Sequence, residues 1–258
     1  MKKRDIYLSI FAILVFSFLL SQNYLAGYVW ARYRNAGAAF FLTRDAKLAM
    51  GIGNYYLNGG AYDLEKAEAA FQRAVRIEPG ILWGHYQLAR VYFVKKEKQG
   101  ALGEINKELK ANPENLRSLY VRGLIYAFDG RFQEAESDFR AFTLWAPKEW
   151  AGYNDLAWIL AKQRKYREAK ETMLVALREV PGADKNPWLW NMRGVAELNL
   201  KEYAEARRSF LLAKEFADNL AVKDWTRSYP GNDPASAATG LKEFQDAIEK
   251  NIEAAKRG

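Results

Sequence analysis

The side chains that most often carry covalent chemistry are scarce in this sequence. Histidine occurs once, at His85, and cysteine not at all. Those counts exclude a disulfide scaffold, a thiolate zinc site, a cysteine nucleophile and a multi-histidine metal centre, and they leave a Ser-His-Asp triad little to build on. The acidic pairs Glu134/Glu136 and Glu168/Glu171 have the residue types of a glycoside hydrolase, but beside Ala135 and Ala169 they read as solvated helix faces. Gly51 and Gly53 begin a dinucleotide pattern whose third glycine is replaced by Tyr56, with no strand before it. His85, beside Trp83 and Tyr86, reads as a groove or packing histidine. No catalytic residue, cofactor site or metal site is assigned, and the chain reads as a non-enzyme.

The elements around these residues are helical, and the chain can bury them. It has 258 residues, 50% of them hydrophobic and 27% charged, which excludes intrinsic disorder. Its formal charge of +8 invites a nucleic-acid reading. Half of that surplus, however, comes from Lys2, Lys3, Arg4, Arg32 and Arg34, offset by Asp5, around one apolar segment. The remainder is a mixed, mildly basic surface, so no nucleic-acid partner is expected.

From Ile6 to Ala31 no residue is charged, and Ile6–Leu20 reads IYLSIFAILVFSFLL. About 20 helical residues cross a hydrocarbon core of roughly 30 Å, and Tyr24, Tyr28 and Trp30 are the side chains an interface holds. The segment 1–31 is therefore read as a cytoplasmic stub and signal anchor. A cleaved signal peptide is the competing reading, weakened because Tyr24 stands two residues before Ala26 where a small residue is needed. The short basic amino terminus suggests a single-pass protein with its carboxy-terminal domain outside the cytoplasm. Residues 32–45 read as a helical connector.

Beyond it, Pro79, Pro113, Pro147 and Pro181 recur every 34 residues, and Ala67, Ala101, Ala135 and Ala169 keep the same step. A fixed period of this length marks stacked supersecondary units, none able to bury its apolar face alone. In Leu116–Pro147, the residues Leu119, Gly123 and Tyr126 share one helix stripe, Asp129–Gly130 turns the chain, and Ala135, Phe139 and Phe142 share a second stripe. Pro147 ends that second helix. Small residues at Gly123 and Ala135 let the two backbones approach closely, with Tyr126 and Phe139 beside them.

The set Gly123, Tyr126, Ala135 and Pro147 resembles the tetratricopeptide repeat (TPR) family, as does Ala89, Tyr92, Ala101 and Pro113. The unit with Ala157, Ala169, Met173, Ala176 and Pro181 has Leu160 where an aromatic is commoner. The first has Gly53, Tyr56, Ala67, Phe71, Ala74 and Pro79, with a longer turn around Gly59 and Gly60. A fifth has Gly194, Ala206, Phe210 and Ala213, with Glu197 at the aromatic position. The second unit has Ile105 and Glu108 in place of the usual aromatic and alanine. The resemblance implies an all-α, right-handed α-solenoid of about five helix-turn-helix units over 46–218 (46–79, 80–113, 114–147, 148–181 and 187–218), preceded by one transmembrane helix. Capping helices follow over 219–258, with Leu241, Phe244, Ile248 and Ile252 turned onto the last repeat.

The resemblance further implies that the first helices line a groove for peptide segments or helices of other proteins. Carried over, that groove contains Trp83, Tyr86, Arg90, Phe93, Arg117, Tyr120, Leu124, Phe128, Asn154, Trp158, Trp188 and Asn191. Packing between neighbouring helices is an equally open role for these rings. Some family members clamp a peptide's terminal carboxylate. Here Asn54 and Arg117 hold two of those places, but Met50, Gln87 and Val121 replace the required Lys, Asn and Arg. The functional expectation is a membrane-anchored adaptor for a membrane-associated protein partner, with an envelope-complex assembly role. The alternative is a structural subunit that oligomerises through its convex face and carboxy-terminal helix.

Overall fold

The computed structural model describes residues 3–33, 35–58, 61–228 and 232–257. The turn glycines Gly59 and Gly60, and Tyr229, Pro230 and Gly231 of the carboxy-terminal turn, lie outside them, as do Met1, Lys2, Arg34 and Gly258. Among the described residues the chain is helical, with no strand. It divides into two compact units, Met1–Val91 and Tyr92–Gly258.

In the first unit α1 (Lys3–Tyr33) is followed by α2 (Ala36–Leu42), α3 (Ala46–Asn58), α4 (Leu64–Ile77) and most of α5 (Gly84–Val94). The connector is broken, because Asn35 ends α1's run and caps α2, its side chain accepting from the Ala38 N–H at 3.0 Å. The window Ile10–Arg32 is long and apolar enough to cross a membrane and is only 6% buried. Its carboxy-terminal end nevertheless belongs to the fold. Ala26 is fully buried, Trp30 meets Tyr55 edge-on at 5.4 Å, and Asn23 Oδ1 accepts from the Arg44 N–H at 2.6 Å. Asp63 caps α4 through the Lys66 N–H, and Phe71 of α4 fills the space over Gly53 of α3.

The second unit continues with α6 (Lys98–Ala111), α7 (Leu116–Phe128), α8 (Phe132–Trp145), α9 (Trp150–Lys162), α10 (Tyr166–Glu179), α11 (Pro187–Asn199) and α12 (Tyr203–Asp218). Each of these helices from α6 onwards packs against its sequence neighbour, except that α13 (Val222–Ser228) and α14 (Ala237–Lys256) close the end together. This is the nearest-neighbour pattern of a solenoid. The repeating alanines Ala101, Ala135, Ala169 and Ala206 are all fully buried. Their methyl groups are what the close helix contact can hold.

The turns between paired helices explain a pattern that composition hides. Lys96, Gly130, Arg164 and Lys201 all adopt positive φ, between 62° and 77°. In each case the following N–H reaches back five residues to the helix end: Glu97 to Tyr92, Arg131 to Tyr126, Lys165 to Leu160 and Glu202 to Glu197. This is the Schellman closure, which favours glycine at the left-handed position. Of these four turns only the one at Gly130 has it. Between α10 and α11, Gly182 takes φ 72° and a short 3-10 turn, Ala183–Lys185, adds residues before Asn186 and Pro187 start α11.

Helix α14 caps the stack. Its Ile248, Ile252 and Ala255 pack with Phe210, Ala213 and Ala217 of α12. Glu197, at the aromatic position of the fifth unit, is wholly buried, accepting from Arg193 Nε and Ser209 Oγ at 2.7 Å each. An ion pair thus replaces a ring in that core. Glu108 is also buried, and accepts from the side-chain amides of Asn112 and Asn115 at 3.0 and 3.2 Å, tying the end of α6 to the start of α7.

Candidate partner-binding surface

The candidate residues of the first unit form a polar-aromatic group. Trp83 sits at φ 69°, a strained backbone for a bulky side chain, and meets Tyr86 edge-on at 5.2 Å. The Arg90 guanidinium lies 5.7 Å over the Tyr86 ring and donates to Gln87 Oε1 at 2.8 Å and Asn58 Oδ1 at 3.2 Å. Gln87 in turn donates to Asn54. Asn54 and Gln87, at two of the places that a carboxylate clamp would use, are therefore bonded to each other, and Met50 is buried.

In the second unit three rings run in sequence along successive first helices. Phe93 meets Phe128 at 5.5 Å, and Phe128 meets Trp158 at 5.8 Å, with Phe128 60% exposed. Lys162 Nζ lies 5.7 Å over the Trp158 ring, one turn along α9. Leu124 packs partly buried on the central core, and Arg117 is exposed at the start of α7.

Tyr120 links this surface to a group that sequence reasoning missed. Its ring leans on Phe139 and Phe142 at 5.7 and 5.0 Å, and its hydroxyl donates to Asp155 Oδ2 at 2.6 Å. The Asn154 amide donates to Asp155 Oδ1 at 3.1 Å. Burial pushes the Asp155 carboxyl up to about 6, against the pull of these two hydrogen bonds. The available signal was an acid on a helix stripe that otherwise carries rings and amides.

Trp188 and Asn191 have different surroundings. Trp188 is buried, stacked on Trp150 at 5.0 Å and on Phe244 of α14 at 5.5 Å, with Trp225 of α13 at 6.2 Å. Asn191 Oδ1 accepts from the Asn251 amide of α14 at 3.1 Å. The returning carboxy-terminal helices cover both residues.

Three of the four acids in the two pairs, Glu134, Glu136 and Glu168, are held in ion pairs. Glu134 is bridged to Arg131 at 2.8 Å, while Glu136 receives Arg140 and Lys165 at 2.8 Å each and Gln163 at 2.7 Å. Burial opposes ionisation of Glu136, yet these donors hold it below the usual carboxylate range. Arg140 also reaches Glu168 at 2.8 Å. Among the described residues no group of three acidic or histidine side chains is placed to hold a metal ion.

Comparison with known proteins agrees with this architecture. The tetratricopeptide repeat profile matches residues 86–146, 120–184 and 154–221, together more than half of the chain. No curated protein sequence matches significantly. Among solved structures, MamA from Desulfovibrio magneticus RS-1 is 20% identical, covering 67% of this chain and 95% of its own, with a TM-score of 0.60. Pseudomonas aeruginosa pilF is 19% identical over 83% of this chain and 92% of its own, at 0.59. YrrB, described as a TPR protein with an unusual peptide-binding site, is 18% identical over 68% and 88%, at 0.55. At these identities the likeness is one of fold, and with the profile match and the paired helices it leads to one conclusion: the chain belongs to the tetratricopeptide repeat family.

Proposed function

We propose that this chain is a membrane-anchored TPR adaptor that binds an extended segment or helix of a protein partner and acts in assembling or stabilising an envelope complex. The observation that carries the reading is the row Phe93, Phe128 and Trp158, whose rings adjoin one another while Phe128 is left 60% exposed. Apolar rings lined up at the surface gain most from being covered, and rigid aromatic side chains are effective binding anchors. Leu124 stands one turn before Phe128 on α7, and Asn154 one turn before Trp158 on α9; Tyr120 and Arg117 lie further towards the start of α7. Trp83, Tyr86 and Arg90 offer a smaller contact of the same kind within the first unit. Peptide binding, described for YrrB, is carried over on this basis.

Anchoring rests on α1. The exposed apolar window favours a bilayer, and the burial of Ala26 together with the Trp30–Tyr55 contact favours an uncleaved helix, because removing it would strip cover from the first repeat. Tethering raises the effective concentration of other membrane proteins, so a weak groove contact suffices.

The test is capture of partners by the full-length chain from its own membranes, compared with a Phe128→Ala/Trp158→Ala variant of unchanged helix content. Loss of the partner in the variant is expected. Equal capture by both proteins rejects the surface, and an intact mass lacking residues 1–26 rejects the anchor.

A further inference from the structure

We infer that the aromatic surface of the second unit receives an arginine side chain of its partner, with Asp155 as the anionic contact and Phe128 and Trp158 as stacking faces. This rests on the partner-binding reading above and narrows it to the chemistry of the bound segment. Charge complementarity carries it. Three other carboxylates withdrawn from solvent in this unit hold protein cations: Asp138 has Arg122 at 2.7 Å, Glu197 has Arg193 at 2.7 Å, and Glu136 has both Lys165 and Arg140. Glu108, sealed at 1% exposure, is bridged by two amides. Asp155 is partly exposed and is bonded by two neutral donors, the Tyr120 hydroxyl and the Asn154 amide.

A carboxylate offers about four acceptor positions, so two donors leave room for a two-pronged contact. A planar guanidinium fits that need and stacks on aromatic faces, which an ammonium does less well. Trp158 is one turn from Asp155 on α9, and Phe128 adjoins it at 5.8 Å. The Trp158 ring already attracts a cation, Lys162, from within the chain. The raised Asp155 pKa is consistent with an anion that lacks a counter-charge until the partner arrives.

The full-length chain in detergent is screened against immobilised short peptides, and each arginine-containing binder is compared with its twin in which citrulline, a neutral isostere, replaces arginine. Binders are expected to be enriched in arginine, with citrulline twins weaker by about tenfold or more. Asp155→Asn, which keeps the side-chain shape, is expected to remove that difference while the citrulline twins bind as before; thermal unfolding of the variant verifies its fold. Binding without arginine preference, a preference for acidic peptides, or a preference that survives Asp155→Asn overturns the inference and leaves the partner-binding reading standing. Absence of binding by any peptide overturns both.

Discussion

The ring of Phe139 occupies the space that a side chain on Gly123 needs: an ideal Cβ there falls 2.8 Å from Phe139 Cε1. The same relation joins Gly194 to Phe210, at 2.6 Å. In the unit between them alanine replaces glycine at Ala157, and Met173 replaces the ring, both fully buried in one core. The two positions trade volume, so that each helix pair keeps its spacing.

Gly123→Ala alone should therefore cost about 2 kcal/mol through overpacking. Combining it with Phe139→Met recreates the Ala157 and Met173 combination and should recover much of that loss. A double-mutant cycle by denaturant unfolding checks this, and additive effects of the two changes would refute the proposed exchange.

The three non-glycine Schellman turns make a second prediction. Lys96, Arg164 and Lys201 are exposed and hold left-handed backbone that glycine adopts freely. Replacing each by glycine should raise stability by up to about 1 kcal/mol, and Gly130→Ala should lower it by a similar amount. Melting temperatures of the four variants decide it; destabilisation by all three glycines would contradict the turn assignment.

Much of this architecture was legible because a repeat states its contacts several times. The proline and alanine steps located the helix pairs, and the small residues Gly123 and Ala135 were readable as a close approach with Phe139 beside it, although not that the Phe139 ring lies directly over Gly123. Turn chemistry was legible at Asp129–Gly130 but hidden where Lys or Arg takes the same conformation. Asp155 escaped notice because its meaning depends on Tyr120 in the preceding unit, and a lone acid in a helix looks like an ordinary polar residue. Trp188 shares the stripe position of Trp83 and Arg117. The capping stripe Leu241, Phe244, Ile248 and Ile252 was legible as a helix turned onto the last repeat, but that its Phe244 and the Trp225 of α13 cover Trp188 depends on the path of the chain between them.

The buried Glu197 provides a third prediction. Glu197→Ala leaves Arg193 and Ser209 without their shared acceptor and should cost about 3 kcal/mol. Adding Arg193→Ala and Ser209→Ala should cost less than the sum of the single changes, because no polar group then remains orphaned. Chemical denaturation of the single and triple variants measures this, and strict additivity would show that the three groups do not act together.

Asp155 should make the native state pH-sensitive in a direction opposite to that of a salt-bridged carboxylate. Its folded pKa of about 6 lies above the ordinary value of about 3.9, so the folded chain binds this proton more tightly than the unfolded chain does. The stabilisation is complete below the unfolded pKa and is lost as pH rises through 6; at neutral pH an ionised Asp155 is a liability to the fold. Asp155→Asn removes that charge at constant shape. The variant should melt at a higher temperature than the parent at pH 7 and at nearly the same temperature near pH 4, where the parent's carboxyl is already neutral. A lower melting temperature at pH 7 would mean that Asp155 is satisfied within the chain, removing the reason for it to await a cation. A gain in stability coupled to loss of arginine binding would instead mark a residue retained for recognition at a cost to folding.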